Sequence, residues 1–206
     1  MSQSTKEKIL NVAGEIFAKK GFDGTSIREI AQTAEVNLAG INYHYENKLG
    51  LYIAVFERNY QKLETDIHEI AKTYHKNSEE LVEKIFDLFY DQHDALLNNF
   101  KMILNATMEI PDSKMEDSNI VGPPGGEAIL KVINNEVGED VEIELRLWAA
   151  RTLFTHIIHY SLMIKTSLAQ KCQNRVDFTP EYVKLSLIHL CRSLIKHIKE
   201  NPTFSR

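Results

Sequence analysis

From Thr5 to Lys20, apolar residues return at helical spacing (Ile9, Val12, Ala13, Ile16, Phe17), which predicts a first helix. Thr5 offers an N-cap, and Lys19, Lys20 and Gly21 supply a basic last turn and a glycine stop. Phe22 packs back before Gly24 breaks the chain again. Thr25 or Ser26 caps a second helix that turns Ile27, Ile30, Ala31 and Ala34 inward. Val36 anchors the turn after it, and Asn37 caps a third helix running to about His44, with Ile41 and Tyr45 inward. This third helix is too short and too polar for a core element. Lying in the major groove of DNA is a physical reason for such a shape.

The pattern then lengthens. Leu51, Val55, Phe56, Tyr60, Leu63, Ile67 and Ile70 keep one apolar stripe along a fourth helix beginning near Asn47. Further helices are expected at about 78–92 and 93–110, the second ended by Pro111. Residues 111–126 read as a loop, because Gly122-Pro123-Pro124-Gly125-Gly126 opposes helix. A helix from Glu127 to Asn135 follows, then one over 140–168, and a last one opened by Thr179-Pro180 as cap and first helical position. No strand-period segment appears. The expectation is an all-α chain of about nine helices: a three-helix helix-turn-helix domain over 1–47 and a larger helical domain over 48–206.

Composition changes this picture little. No apolar run approaches the roughly 20 residues of a membrane span, and the start lacks the features of a secretory signal. A soluble cytoplasmic protein is expected. Cys172 and Cys191, with eighteen residues between them, suit small buried hydrophobes better than a disulfide or zinc framework. The net charge of −5 gives no global nucleic-acid signature. Residues 1–50 are neutral, with six basic residues (Lys6, Lys8, Lys19, Lys20, Arg28, Lys48) against six acidic ones. A neutral unit still binds DNA if its cations face the phosphates and its anions face away.

With Ile41 inward, the third helix presents Leu38, Ala39, Gly40, Asn42, Tyr43 and His44 outward. Ala39 and Gly40 permit close approach to base edges and thymine methyls, and Asn42 suits a base edge or a phosphate. Tyr43, His44 and Lys48 are placed to grip phosphate at the helix exit. Thr25 and Ser26 offer hydroxyls and amides at a helix start, and Arg28 reaches a guanine edge or a phosphate.

The run Thr25-Ser26-Ile27-Arg28-Glu29-Ile30-Ala31, followed by Ala34, Val36, Gly40, Tyr43, Tyr45, Lys48 and Leu51-Tyr52, resembles the TetR family of bacterial regulators. The likeness covers roughly residues 5–55. It implies that Thr25, Ser26, Arg28, Leu38, Ala39, Gly40, Asn42, Tyr43, His44 and Lys48 form the DNA contact set, beside the Asn37 cap. Two positions depart from the family pattern. Asn37 replaces the usual serine or threonine and is an adequate cap. Glu35 replaces the usual glycine; it is expected in a helix-end conformation that does not need glycine, with an acid that repels phosphate.

The resemblance further implies a ligand-sensing and dimerisation domain. The helices over 140–168 and 180–199 are apolar over more of their circumference than one core face requires. That fits a homodimer through a four-helix bundle, which would set two recognition helices one turn of DNA apart. A pocket between the helices near 81–110 and 140–165 draws on Phe86, Phe89, Tyr90, Phe100, Met102, Met108, Trp148, Phe154 and Tyr160, with His93, Arg151, His156 and His159 as polar handles. The 111–126 loop is either a flap near the pocket mouth or a surface excursion.

No phosphate-cradling loop, HExxH or nucleophile elbow supports catalysis, and no cofactor or metal is implied. The rival reading is a helical-bundle ligand-binding or metal-dependent protein without DNA binding. Its Glu-x-x-His pairs are absent, since none of the eight histidines has a glutamate three residues before it. The expectation is a regulator, most simply a repressor, that holds a palindromic double-stranded operator as a homodimer and leaves it when a small-molecule inducer binds.

Overall fold

Residues 5–105, 123–172 and 178–203 are described by the computed structural model. They form ten helices and no strand: α1 Thr5–Lys20, α2 Ile27–Thr33, α3 Leu38–Tyr45, α4 Lys48–Thr73, α5 Ser78–Asp91, α6 His93–Leu104, α7 Gly126–Val137, α8 Ile143–Met163, α9 Ser167–Cys172 and α10 Pro180–Glu200. The all-α expectation holds. The expected helix end at 110, Met108 and most of the 111–126 segment lie outside the described residues.

Local chemistry explains most helix starts. Ser26, Asn37, Asn77 and Thr179 each accept a backbone N–H of the first turn, capping α2, α3, α5 and α10. Asn47 does the same for α4, accepting from Gly50 N at 2.9 Å. The extra helix arises where one was expected through residue 168. Thr166 donates its hydroxyl to Met163 O at 2.7 Å and accepts from Ala169 N at 3.2 Å. One side chain thus closes α8 and opens α9.

The chain divides into two compact units, Met1–Lys62 with Asp94–Val121, and Leu63–His93 with Gly122–Arg206. By contact, therefore, the first unit takes in the start of α4 and also α6, beyond the 47 residues set apart by sequence. Its core joins Ile9, Leu10, Ala13 and Phe17 of α1 to Ile30, Ile41, Tyr45, Leu51, Tyr52, Val55 and Met102. Each large side chain taken from water contributes about 1.5–3 kcal/mol. Gly50 is required there, because a Cβ would come within 2.2 Å of Tyr45 O.

In the second unit α5 packs on α8 and α10, and α7 packs on α8. Leu81, Ile85, Phe86 and Phe89 meet Ile129, Ile133, Ala149, Leu153, Ile157, Val183, Leu187 and Ile198 in its buried interior. Gly125 takes a positive φ of 75°, and a Cβ there would press into the Ile67 side chain at 2.3 Å. Cys191 is buried, and its thiol, pushed up to about 12 by burial, donates to Ser78 Oγ at 3.2 Å. The Cys172 side chain lies outside the described set.

Candidate nucleic-acid interface

Two short helices, α2 and α3, are held by their inner residues and exposed on their outer ones. Ile30, Ala31 and Ala34 are buried on α2 and at its end, and Ile41 and Tyr45 on α3. Outward stand Ser26, Arg28, Asn37, Ala39, Asn42, Tyr43 and His44. Tyr43 is 84% exposed, its ring 5.3 Å from that of His44. Gly40 is the telling position. A Cβ built on it meets nothing within 4 Å, so no internal contact demands glycine, although glycine in a helix costs about 0.5–1 kcal/mol against alanine. A surface helix that keeps a bare backbone without an internal reason is suited to an external close approach.

Three of the expected contacts are placed differently. Leu38 is half-buried against the core of the unit. Thr25 is 4% exposed; its hydroxyl donates to Gly21 O at 2.6 Å and its amide to Phe22 O at 3.2 Å. Its polar groups are therefore occupied by the turn they close. Lys48 donates from Nζ to Phe22 O at 2.8 Å and Thr25 O at 3.1 Å, and does not project outward. Asn37 and Ser26 are exposed, but their side-chain oxygens already accept from Ala39 N at 2.9 Å and Arg28 N at 3.2 Å. Gln32, one turn after Arg28 and also exposed, shares its face. The i, i+4 spacing was the available signal for it.

Glu35 corrects a second expectation. Its φ is +51°, the left-handed region that favours glycine. After Ala34, the chain must reverse so that Val36 N can bond Ala31 O at 2.9 Å, and Glu35 accepts the strained conformation. Its carboxylate pairs with Lys8 at 3.1 Å, and Glu29 pairs with Lys20 at 2.6 Å. Two acids of this unit are thus matched to lysines of α1.

The expected pocket residues divide between the units. Met102 is buried in the first, where its carbonyl accepts from Tyr52 Oη at 2.5 Å, and Phe100 belongs there too. Phe86, Phe89 and Phe154 are buried in the second, with Phe89 edge-on to Phe154 at 6.4 Å. Lys165 donates to Tyr90 O at 2.7 Å and stands over the Tyr90 ring at 4.1 Å. Tyr160 lies 5.8 Å from the Phe178 ring. Trp148, Arg151 and His159 correct the expectation. They stand on the exposed stripe of α8, opposite Ala149, Leu153 and Ile157. Apolar residues on most of that helix hide its phase. His156 is folded onto its own helix, Nδ1 at 2.7 Å from Thr152 O. His93 is buried, Nδ1 at 2.9 Å from Ser161 O. The 111–126 flap falls largely outside the described residues.

Large apolar side chains are exposed on the two helices assigned to dimerisation: Ile143 and Trp148 on α8, Tyr182 and Leu185 on α10. Among the described residues no group of His, Cys, Asp or Glu is arranged to hold a metal ion. No described helix is long and apolar enough to cross a membrane.

Residues 9–55 match the family of bacterial regulatory proteins, tetR family. The chain is 41% identical over 98 residues to a probable HTH-type transcriptional regulator, YttP, of Bacillus subtilis (strain 168), covering 46% of each. It is 31% identical over 91 residues to the HTH-type transcriptional activator FasR of Mycolicibacterium smegmatis, covering 43% of this chain and 41% of that one. The chain thus spans less than half the length of these two relatives. A putative transcriptional regulator from Pseudomonas aeruginosa PAO1 shares the fold, with TM-score 0.71 at 16% identity over 96% of this chain and 93% of the other.

Proposed function

We propose that this chain, whose residues 9–55 match the tetR family of bacterial regulatory proteins, is a ligand-responsive repressor binding a palindromic operator as a homodimer. The observation that carries the DNA-binding reading is the outward face of α3, where Gly40 is bare without an internal reason and Tyr43 stands almost fully exposed. Ala39, Gly40 and Asn42 approach base edges. Tyr43, His44, Ser26 and Arg28 engage the phosphates or, for Arg28, a guanine edge. The starts of α2 and α3 add the backbone amides that are not already taken by the Ser26 hydroxyl (Arg28 N) or by Asn37 (Ala39 N and Gly40 N).

Homodimerisation uses the exposed faces of α8 and α10. Ile143, Trp148, Tyr182 and Leu185 are large side chains left in water by a single subunit, as expected of a face that a second copy covers. Release follows when a small molecule binds the second unit and favours an arrangement of α4 that no longer suits both half-sites. It can shift that equilibrium only by its difference in affinity for the two states. Helix α4 supplies residues to both units, which is what makes it the natural carrier. No cofactor is needed for this action.

The test is selection of duplexes from a random pool by the full chain, with sedimentation of the selected complex. The expected result is an inverted repeat with half-sites about one helical turn apart, bound by two subunits. Enrichment of no sequence, or binding by one subunit to an asymmetric site, contradicts the proposal. Reporter expression from the selected site decides the sign of regulation: repression supports this reading, and activation, as in the M. smegmatis activator FasR, overturns that part of it.

A further inference from the structure

Lys48 opens α4, yet its ammonium is spent inside the first unit. Nζ donates to the carbonyl oxygens of Phe22 at 2.8 Å and Thr25 at 3.1 Å, and stands 4.3 Å from the centroid of the Phe22 ring. An ammonium has three donors. Two reach chain carbonyls, and the charge lies against the negative face of an aromatic ring. The ring is fixed in turn, edge-on to Tyr52 at 5.5 Å and near-parallel to Phe17 at 6.3 Å. Thr25 closes the other side of the turn through Gly21 O. The loop between α1 and α2 is therefore wrapped around one side chain that arrives from more than twenty residues away in sequence.

We propose that Lys48 is a positioning residue that ties the first turn of α4 to the loop launching α2, and that its charge is not used on DNA phosphate. Swinging the ammonium out to a phosphate would give up both carbonyls and the ring, with only its third donor uncommitted to the chain. What the tether fixes is the backbone at Ser26 and Arg28, directly after the Thr25 carbonyl that it holds. A displacement of α4 would thus be felt at the start of α2 through this link. The tether itself follows from the geometry; its consequence for DNA rests on the regulator reading above.

Amine acetylation of the wild-type full chain, read by mass spectrometry with and without a random-sequence duplex, tests the tether directly. Lys48 is expected to label several-fold more slowly than the exposed Lys19 in the free protein, with no further protection on adding DNA. Labelling at the rate of Lys19, followed by protection on DNA, overturns the proposal. Lys48→Met supplies the second readout. The slope of log affinity against log salt is expected to stay as in wild type, whereas loss of a phosphate contact lowers it by about one unit. Affinity should fall several-fold, and amide exchange should accelerate over residues 22–28. A slope lowered by one with unchanged exchange contradicts the tether. If wild-type protein binds no duplex, the regulator reading fails, while labelling of the free protein still judges the tether.

Discussion

Replacing Tyr45 with phenylalanine removes a buried oxygen that has no hydrogen-bond partner. Tyr45 is 6% exposed at the end of α3, within the core of the first unit, and its hydroxyl is left unpaired. Burial raises the phenol above its usual range, and the nearby Glu7 charge raises it further while Arg58 lowers it. An unsatisfied buried polar group costs about 1–3 kcal/mol. The void left by one oxygen offsets a few tenths of that, at about 24 cal/mol per Å³. Tyr45→Phe is therefore expected to stabilise the fold by about 1–2 kcal/mol. For a chain of this length that is about 2–4 °C of melting temperature per kcal/mol. Urea unfolding is the assay, with the midpoint rising at constant slope. The sign with pH is also fixed. A folded-state pKa above the unfolded value gives stability that is complete below about pH 10 and lost as pH rises through the folded value. Tyr45→Phe should lose less than wild type there, and Tyr52, raised by its own burial, should account for part of what remains. A variant less stable than wild type by about 0.5 kcal/mol or more would mean that the hydroxyl has a partner in solution, and would refute the reasoning.

Three further outcomes are expected. Glu35→Gly relieves a left-handed glutamate at φ +51° and gives up an exposed pair with Lys8 worth about 0–1 kcal/mol; a net gain of up to about 1 kcal/mol in urea midpoint is expected, together with tighter binding to random duplex. Leu185→Glu puts a charge on a side chain that is 57% exposed on α10. It should convert a dimer to a monomer by sedimentation velocity while shifting subunit stability by no more than about 0.5 kcal/mol; a persisting dimer removes α10 from the interface. Glu79→Gln breaks the two-point contact with Arg192 at 2.9 and 2.7 Å. Hydrogen bonding to that guanidinium lowers the Glu79 pKa, so its contribution is present above the unfolded value near 4.3 and lost as pH falls through the folded one. The variant should cost at most about 1 kcal/mol at pH 7, the pair being partly exposed, and nothing at about pH 3.

The helices of this chain are legible because their signals are local. Apolar spacing fixes α1 and α4, and the caps at Ser26, Asn37 and Thr179 sit where the helices begin. The outward set on α3 follows from Ile41 and Tyr45 pointing inward, since two buried positions fix the phase of a short helix. Side chains decided by distant neighbours are not legible in this way. Lys48 looks like a phosphate ligand in one dimension, yet its partners are carbonyls of the α1–α2 loop, brought close only by folding; Thr25 is spent on a local turn instead, its hydroxyl bonding Gly21 O four residues before it. Trp148 and Arg151 fall on the outer stripe of a helix whose near-uniform apolarity conceals its phase. The break at Thr166 had a local cap signal, masked by the apolar run before it. Glu35 misleads for another reason: a tight reversal imposes its backbone whatever residue stands there.

The central claim is that the bare face of α3 exists for DNA, and Gly40→Ala tests it most directly. An added Cβ meets nothing within 4 Å beyond its own helix turn, so the helix should be more stable by about 0.5–1 kcal/mol. The same variant is predicted to lose affinity for the selected operator, because the methyl occupies space reserved for a base edge. Greater stability with weakened binding separates interface from fold in one substitution. A stabilised Gly40→Ala protein that holds the operator as tightly as wild type would contradict the claim.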